Sequence, residues 1–225
     1  NALKMALSEI KTKMFRIASS QFFNNIPIEQ LSLSSDGTIF PITSPKKSIS
    51  INDLPFGTTE LFHTAIFDSR TSGEYHAFWT PIGQAAIIAI NNLTGLIKVL
   101  HFCTACDVGK AINPAIVEQQ LEGGAAQGVS SALYEEVIYE GGHIINSNFK
   151  DYRIPKASEL DFDSTILIIE SNETSGPYGA KGIGEMGVMA AAPAIGNAIY
   201  DAIGIDLDVI PITPERVLEA MLDND

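Results

Sequence analysis

The residues best suited to chemistry cluster in one run, Gly176-Pro-Tyr-Gly-Ala-Lys-Gly-Ile-Gly-Glu-Met-Gly187. It carries one carboxylate, Glu185, and one ammonium, Lys181. Glycines remove side-chain bulk, so the backbone can approach a ligand closely and adopt positive φ. A single acid on such a stretch suits a proton-handling group held against something flat and bulky. A solvated surface loop would read the same way locally, because carboxylates are mostly exposed. An apolar, alanine-rich segment follows from Val188 to Ile203.

The run also fits a phosphate-binding pattern. Gly182, Gly184 and Gly187 match G-x-G-x-x-G, and Asp206 and Asp208 lie near the spacing of a ribose-binding acid. That fingerprint needs a strand running straight into the first glycine. The nearest strand-like run is Thr165 to Glu170, and residues 171–181 intervene. Glu185 would also repel a pyrophosphate at the helix start. A dinucleotide site is therefore the weaker reading. Cys103 and Cys106 form a C-x-x-C pair, but a zinc or iron–sulfur site needs about four ligands and no second pair exists. On a strand, His101 shares a face with Cys103 and not with Cys106. Two buried thiols are expected.

Those residues sit in a chain of 225 with 45% hydrophobic and 18% charged residues, enough for a substantial core. A net charge of −13 argues against a nucleic-acid surface. No uninterrupted apolar run approaches the roughly 20 residues of a membrane span, and no basic-then-apolar leader is visible. A cytoplasmic location is expected. The chain opens on Asn1-Ala2-Leu3, already inside a helical pattern, which suggests a fragment, a processed subunit or a short residual tag.

Periodicity supplies the elements. Leu3, Ala6, Leu7, Ile10, Met14, Ile17 and Ala18 predict an amphipathic helix to about residue 22. Ser35-Asp36-Gly37 joins two short strands. Residues 41–60, with three prolines, read as a loop excursion. Ala85–Ile90 and Leu96–Phe102 predict a hairpin, its first strand covered on both faces. Asn113-Pro114 opens a helix toward Tyr134, with cap and N1 proline agreeing. Gly123, Gly124 and Gly128 inside that helix imply close approach of another element or a ligand. A hairpin around Gly141-Gly142, a strand at Thr165–Glu170, a helix at Pro193–Ile203, a strand at Leu207–Ile212 and a helix from Thr213-Pro214 complete the chain. Without βαβ regularity the class is α+β, with mixed sheets and packed helices.

Five segments in order resemble the molybdenum hydroxylases, the family of xanthine dehydrogenase and aldehyde oxidoreductase. They are Asp107-Val-Gly-Lys-Ala-Ile-Asn-Pro114, Gln120-Leu-Glu-Gly-Gly-Ala-Ala-Gln-Gly128, Asp151-Tyr-Arg-Ile-Pro155, Gly179-Ala-Lys-Gly-Ile-Gly-Glu-Met-Gly187 and Pro193-Ala-Ile-Gly-Asn-Ala-Ile199. By this resemblance residues 1–225 look like the C-terminal part of the molybdopterin-binding domain. The resemblance implies oxidative hydroxylation of an aldehyde or N-heterocycle, with the oxygen drawn from water. Glu185 matches the family glutamate that serves as general base. Gln120 matches a glutamine contacting the molybdopterin, and Lys181 the loop lysine, which would contact the cofactor or orient the loop. Gly182 and Gly184 would bring backbone close to the cofactor. No residue here is expected to ligate molybdenum directly, since the pterin holds it.

The resemblance also implies partners. The remaining molybdopterin-binding segment, a 2Fe-2S module and an FAD module would lie on other polypeptide, and this chain alone would be inactive. After Glu185 the chain reads Met-Gly where the animal xanthine enzymes resemble Pro-Pro, so substrate preference does not transfer. The competing readings are a dinucleotide-binding domain and a noncatalytic homologue acting as a scaffold.

Overall fold

The structure, a computed structural model, describes residues 1–55, 62–66 and 79–223. The chain divides into two compact units, Asn1–His76 and Ala77–Asp225.

In the first unit, helix α1 (Ala2–Phe22) buries Met14, Phe15 and Ala18 on one face. Strands β1 (Leu31–Leu33), β2 (Thr38–Pro41) and β3 (Ile49–Ser50) form an antiparallel sheet in that order. Gly37 sits at φ +80°, which lets the β1–β2 turn close. Ile39 is fully buried in a core with Leu31, Leu54 and the helix. The stretch 41–60, expected as a loop, contains β3 and a 3-10 turn at Ile51–Asp53 in its described part. Two-residue strands carry too little periodicity to be read from sequence. Residues 56–60 lie outside the described residues.

The second unit is built on a three-stranded sheet ordered β4 (Ile82–Ile90), β5 (Ile97–Asp107), β8 (Asp163–Ile169). β4 and β5 are antiparallel across the Asn91–Gly95 turn, and β5 and β8 run parallel. Helix α2 (Pro114–Leu133) connects through the small hairpin β6 (Tyr139–Glu140) and β7 (His143–Ile144) toward β8. The Asn113 side chain accepts from Ile116 N, capping α2 as its sequence predicts. Helices α3 (Ala191–Ile203) and α4 (Pro214–Asp223) complete the unit. Phe102, Val129, Ile195, Ile199 and Val217 form its core.

Two expectations are corrected here. Strand β4 is not covered on both faces: Gly83, Ala85, Ile87 and Ala89 are exposed in alternation, with Ile87 61% exposed. The helices pack on one face of the sheet, so an apolar run does not mean two-sided burial. Leu207–Ile212 is not a strand. It is irregular chain, tied to the end of α2 by Ile212 N donating to Ala132 O at 2.7 Å. Pro211 has no N–H to give a ladder. The stretch Met186–Ile203 averages a hydropathy of 1.2 over 18 residues. Its backbone splits into a 3-10 turn and a helix of 13 residues, short of the ~20 needed to span a bilayer.

Candidate functional site

The glycine run is fixed first at Lys181. Its Nζ donates to Asp107 Oδ2 at 2.8 Å and to Trp79 O at 2.8 Å. Its backbone N–H donates to Val108 O at 2.9 Å. The two side chains of this ion pair are only 7% and 14% exposed. Asp107 ends β5, and its Oδ1 accepts from Gly109 N at 3.0 Å and Ser171 Oγ at 2.9 Å. The hydrogen bond from Lys181, then that from Gly109, holds the Asp107 carboxyl down at about 2. Asp107, the first residue of the Asp107–Pro114 segment, therefore anchors the loop.

Three residues on, Gly184 O accepts from Gln120 Nε2 at 2.6 Å. Gln120 lies near the N-terminal end of α2, and its side chain thus reaches the residue just before Glu185. Glu185 itself heads the 3-10 turn Met186–Val188, and its side chain is exposed. Gly182 and Gly184 are exposed as well. A Cβ added at Gly184, or at Gly123 on α2, would meet nothing. Gly123 follows Gln120 by three residues and so shares its helix face.

Gly187 shows the opposite environment. A Cβ there would fall 2.6 Å from Leu121 O and 2.8 Å from Gly124 Cα. A Cβ on Gly124 would in turn meet Gly187 Cα at 2.7 Å, and one on Gly128 would meet Ala191 Cβ at 2.4 Å. The glycines expected to approach another element or a ligand thus divide. Gly124 and Gly128 meet protein backbone and α3, whereas Gly123 faces open space.

Sequence reasoning missed Gln84 on β4. Its Nε2 donates to Gly187 O at 2.7 Å and Thr104 Oγ1 at 3.0 Å, and its Oε1 accepts from Ala190 N at 3.0 Å. A lone glutamine in an apolar strand shows that a polar partner is needed but not which one.

The weaker sequence readings look different in three dimensions. β8 ends at Ile169, so residues 170–181 separate it from Gly182, and Gly187 is packed under α2 rather than open to a phosphate. Cys103 and Cys106 are both free, on opposite faces of β5; Cys106 is fully buried and Cys103 partly exposed, not buried as expected. Burial, then the Asp107 charge, pushes the Cys106 thiol up. His101 Nε2 lies 3.0 Å from Thr165 Oγ1. Among the described residues no group of three or more His, Cys, Asp or Glu could hold a metal ion.

Comparison with known proteins gives this arrangement a context. Residues 1–161 match a family described as the molybdopterin cofactor-binding domain. The chain is 41% identical over 141 residues to the 6-hydroxypseudooxynicotine dehydrogenase complex subunit gamma of Paenarthrobacter nicotinovorans, covering 61% of this chain and 18% of that one. It is 30% identical over 226 residues to a probable hypoxanthine oxidase of Escherichia coli, covering 98% of this chain and 23% of the relative. Its fold matches quinoline 2-oxidoreductase from Pseudomonas putida 86 with a TM-score of 0.80 at 27% identity, over 96% of this chain and 28% of that one. The chain thus spans about a fifth to a quarter of the curated relatives it matches.

Proposed function

The chain belongs to the molybdopterin cofactor-binding domain family, and on that premise we propose that it supplies the general base of a molybdenum-dependent hydroxylase. The reaction class is hydroxylation of an aldehyde or N-heterocycle with oxygen from water. The observation that carries this reading is the 2.6 Å bond from Gln120 Nε2 to Gly184 O. It ties the helix residue to the backbone immediately before an exposed carboxylate, so the two groups that a bound cofactor and its substrate would face are set relative to one another.

The residues fit the cofactor on chemical grounds. Gln120 offers an amide, which serves both donors and acceptors on a polar pterin edge. The open space beside Gly123 and Gly184 admits a flat group against the backbone. When bound, molybdenum–molybdopterin supplies the electron acceptor and the charge that acidifies water. Glu185 then takes a proton on its carboxylate. Gln120 fixes the peptide that precedes it, and Lys181 on Asp107 fixes the start of the loop. Gly182 and Gly184 keep the approach clear of side chains. Partner polypeptide would carry the remaining molybdopterin-binding segment and the iron–sulfur and flavin modules that would supply the route for electrons.

The test is Glu185→Gln in the assembled enzyme. It preserves shape and removes the base, so turnover should fall by at least about 100-fold, the scale of general-base catalysis, with molybdenum content unchanged. Unaltered turnover per bound molybdenum would remove Glu185 from the mechanism and favour a scaffold role.

A further inference from the structure

We propose that Gln84 is a positioning residue for Glu185, acting through the backbone of the glycine loop; this rests on the reading of Glu185 as the base. Glu185 has two backbone moorings close by. On the N-terminal side Gly184 O is held by Gln120. On the C-terminal side Gly187 O is held by Gln84 Nε2 at 2.7 Å, and Ala190 N donates to the same side chain's Oε1 at 3.0 Å. One amide therefore grips both ends of the Gly187–Ala190 segment.

The grip is rigid because of where Gln84 stands. It lies on β4 opposite Thr104 in the β4–β5 register, and its Nε2 also donates to Thr104 Oγ1 at 3.0 Å. Thr104 is fully buried. The amide plane is thus fixed by three partners, and an amide is the side chain that can donate twice and accept once in this way. Gly187 has no room for even a methyl group toward α2, because a Cβ there would fall 2.6 Å from Leu121 O and 2.8 Å from Gly124 Cα. Held between the helix backbone and Gln84, Gly187 gives the turn that presents Glu185 one position. A hydrophobic residue at 84 would leave Gly187 O and Ala190 N without these partners. The loop would then sample positions in which the carboxylate misses its proton. Misplacement of a reacting group by about 1 Å can cost up to about 100-fold in rate.

The experiment compares Gln84→Leu and Gln84→Glu in the assembled holoenzyme. The glutamate variant keeps the acceptor for Ala190 N but puts a carboxylate oxygen against Gly187 O. Two readouts are taken: kcat and KM per bound molybdenum, and amide hydrogen exchange of the peptide spanning residues 183–190. Both variants should lower kcat per molybdenum by about ten- to a hundredfold with KM changed far less, and should speed exchange in 183–190 while β4–β5 peptides keep their protection. A purely structural role would instead lower the molybdenum-loaded fraction and leave kcat per molybdenum intact, which overturns the proposal. Unchanged exchange in 183–190 overturns it too. Combining Gln84→Leu with Glu185→Gln separates the two ideas, since a residue acting through Glu185 adds no further loss once the base is gone. If Glu185→Gln abolishes turnover while both Gln84 variants match the parent, only the positioning role fails. If Glu185→Gln has no effect, the base assignment itself fails.

Discussion

Asp107 is the residue on which the start of the loop depends. Its carboxyl sits at about 2, below its ordinary 3.8, chiefly because Lys181 and the Gly109 N–H bond the ionised form. The folded value lies below the unfolded one, so the contribution to stability is fully present above about pH 4 and is lost as pH falls through about 2. Acid unfolding of the wild type should therefore have a component in that window. Lys181→Met removes the partner and leaves the Asp107 carboxylate with only its Gly109 N–H and Ser171 hydroxyl bonds, a destabilising change. It should lower the midpoint of denaturant unfolding and flatten the acid response between pH 4 and 2. Asp107→Asn with Lys181→Met should lose less than the sum of the single changes, because the two residues share one interaction. A pH profile identical to wild type in Lys181→Met would show that the ion pair does not link protonation to folding.

At the scale of elements, the contact between α2 and the glycine loop rests on neighbouring glycines with different environments. Gly123 and Gly124 are adjacent in the helix interior, where glycine is about 1 kcal/mol worse than alanine. A Cβ at Gly123 meets nothing, whereas one at Gly124 meets Gly187 Cα at 2.7 Å. Gly123→Ala should raise the unfolding free energy by up to about 1 kcal/mol. Gly124→Ala should lower it, since backbone must move to admit the methyl group. Thermal unfolding of the two variants side by side checks the sign; equal shifts would mean that the loop does not pack on α2 as described. This division was not legible in the sequence, where three glycines in a helix state only that something comes close. The helices were legible because their caps and periodicity are local: Asn113-Pro114 and Thr213-Pro214 each begin a helix. The alternating exposure of β4 and the irregular path of Leu207–Ile212 were not, because both depend on which neighbours the chain finds. The bond from Gln120 to Gly184 spans residues with no periodic relation, and only the family resemblance joined them in advance. Gln84 had no such help, and its three partners appear only once β4, β5 and the loop are assembled.

At the scale of the whole molecule, the sheet of the second unit leaves apolar side chains open on the face away from its helices. Ile87 is 61% exposed, and Leu167 and Ile169 on β8 are each 51% exposed. Exposed apolar surface of this kind marks interaction sites or association liabilities. The relatives are longer, since this chain covers 23% of the hypoxanthine oxidase relative and 28% of quinoline 2-oxidoreductase. On the proposed reading, Glu185 and Gln120 would supply only part of a catalytic site, because proximity raises a rate only when every reacting group is held at once. The 225-residue chain purified alone should therefore bind molybdenum at well below one equivalent and oxidise neither aldehydes nor purines. Co-expressed with the rest of the molybdopterin-binding polypeptide and the iron–sulfur and flavin modules, it should bind the metal stoichiometrically and turn over substrate with an added electron acceptor. Metal analysis and steady-state assays on both preparations decide the matter. Full metal loading and turnover by the isolated chain would mean that residues 1–225 hold the cofactor unaided, and the reading of this chain as one part of a shared site would have to be given up.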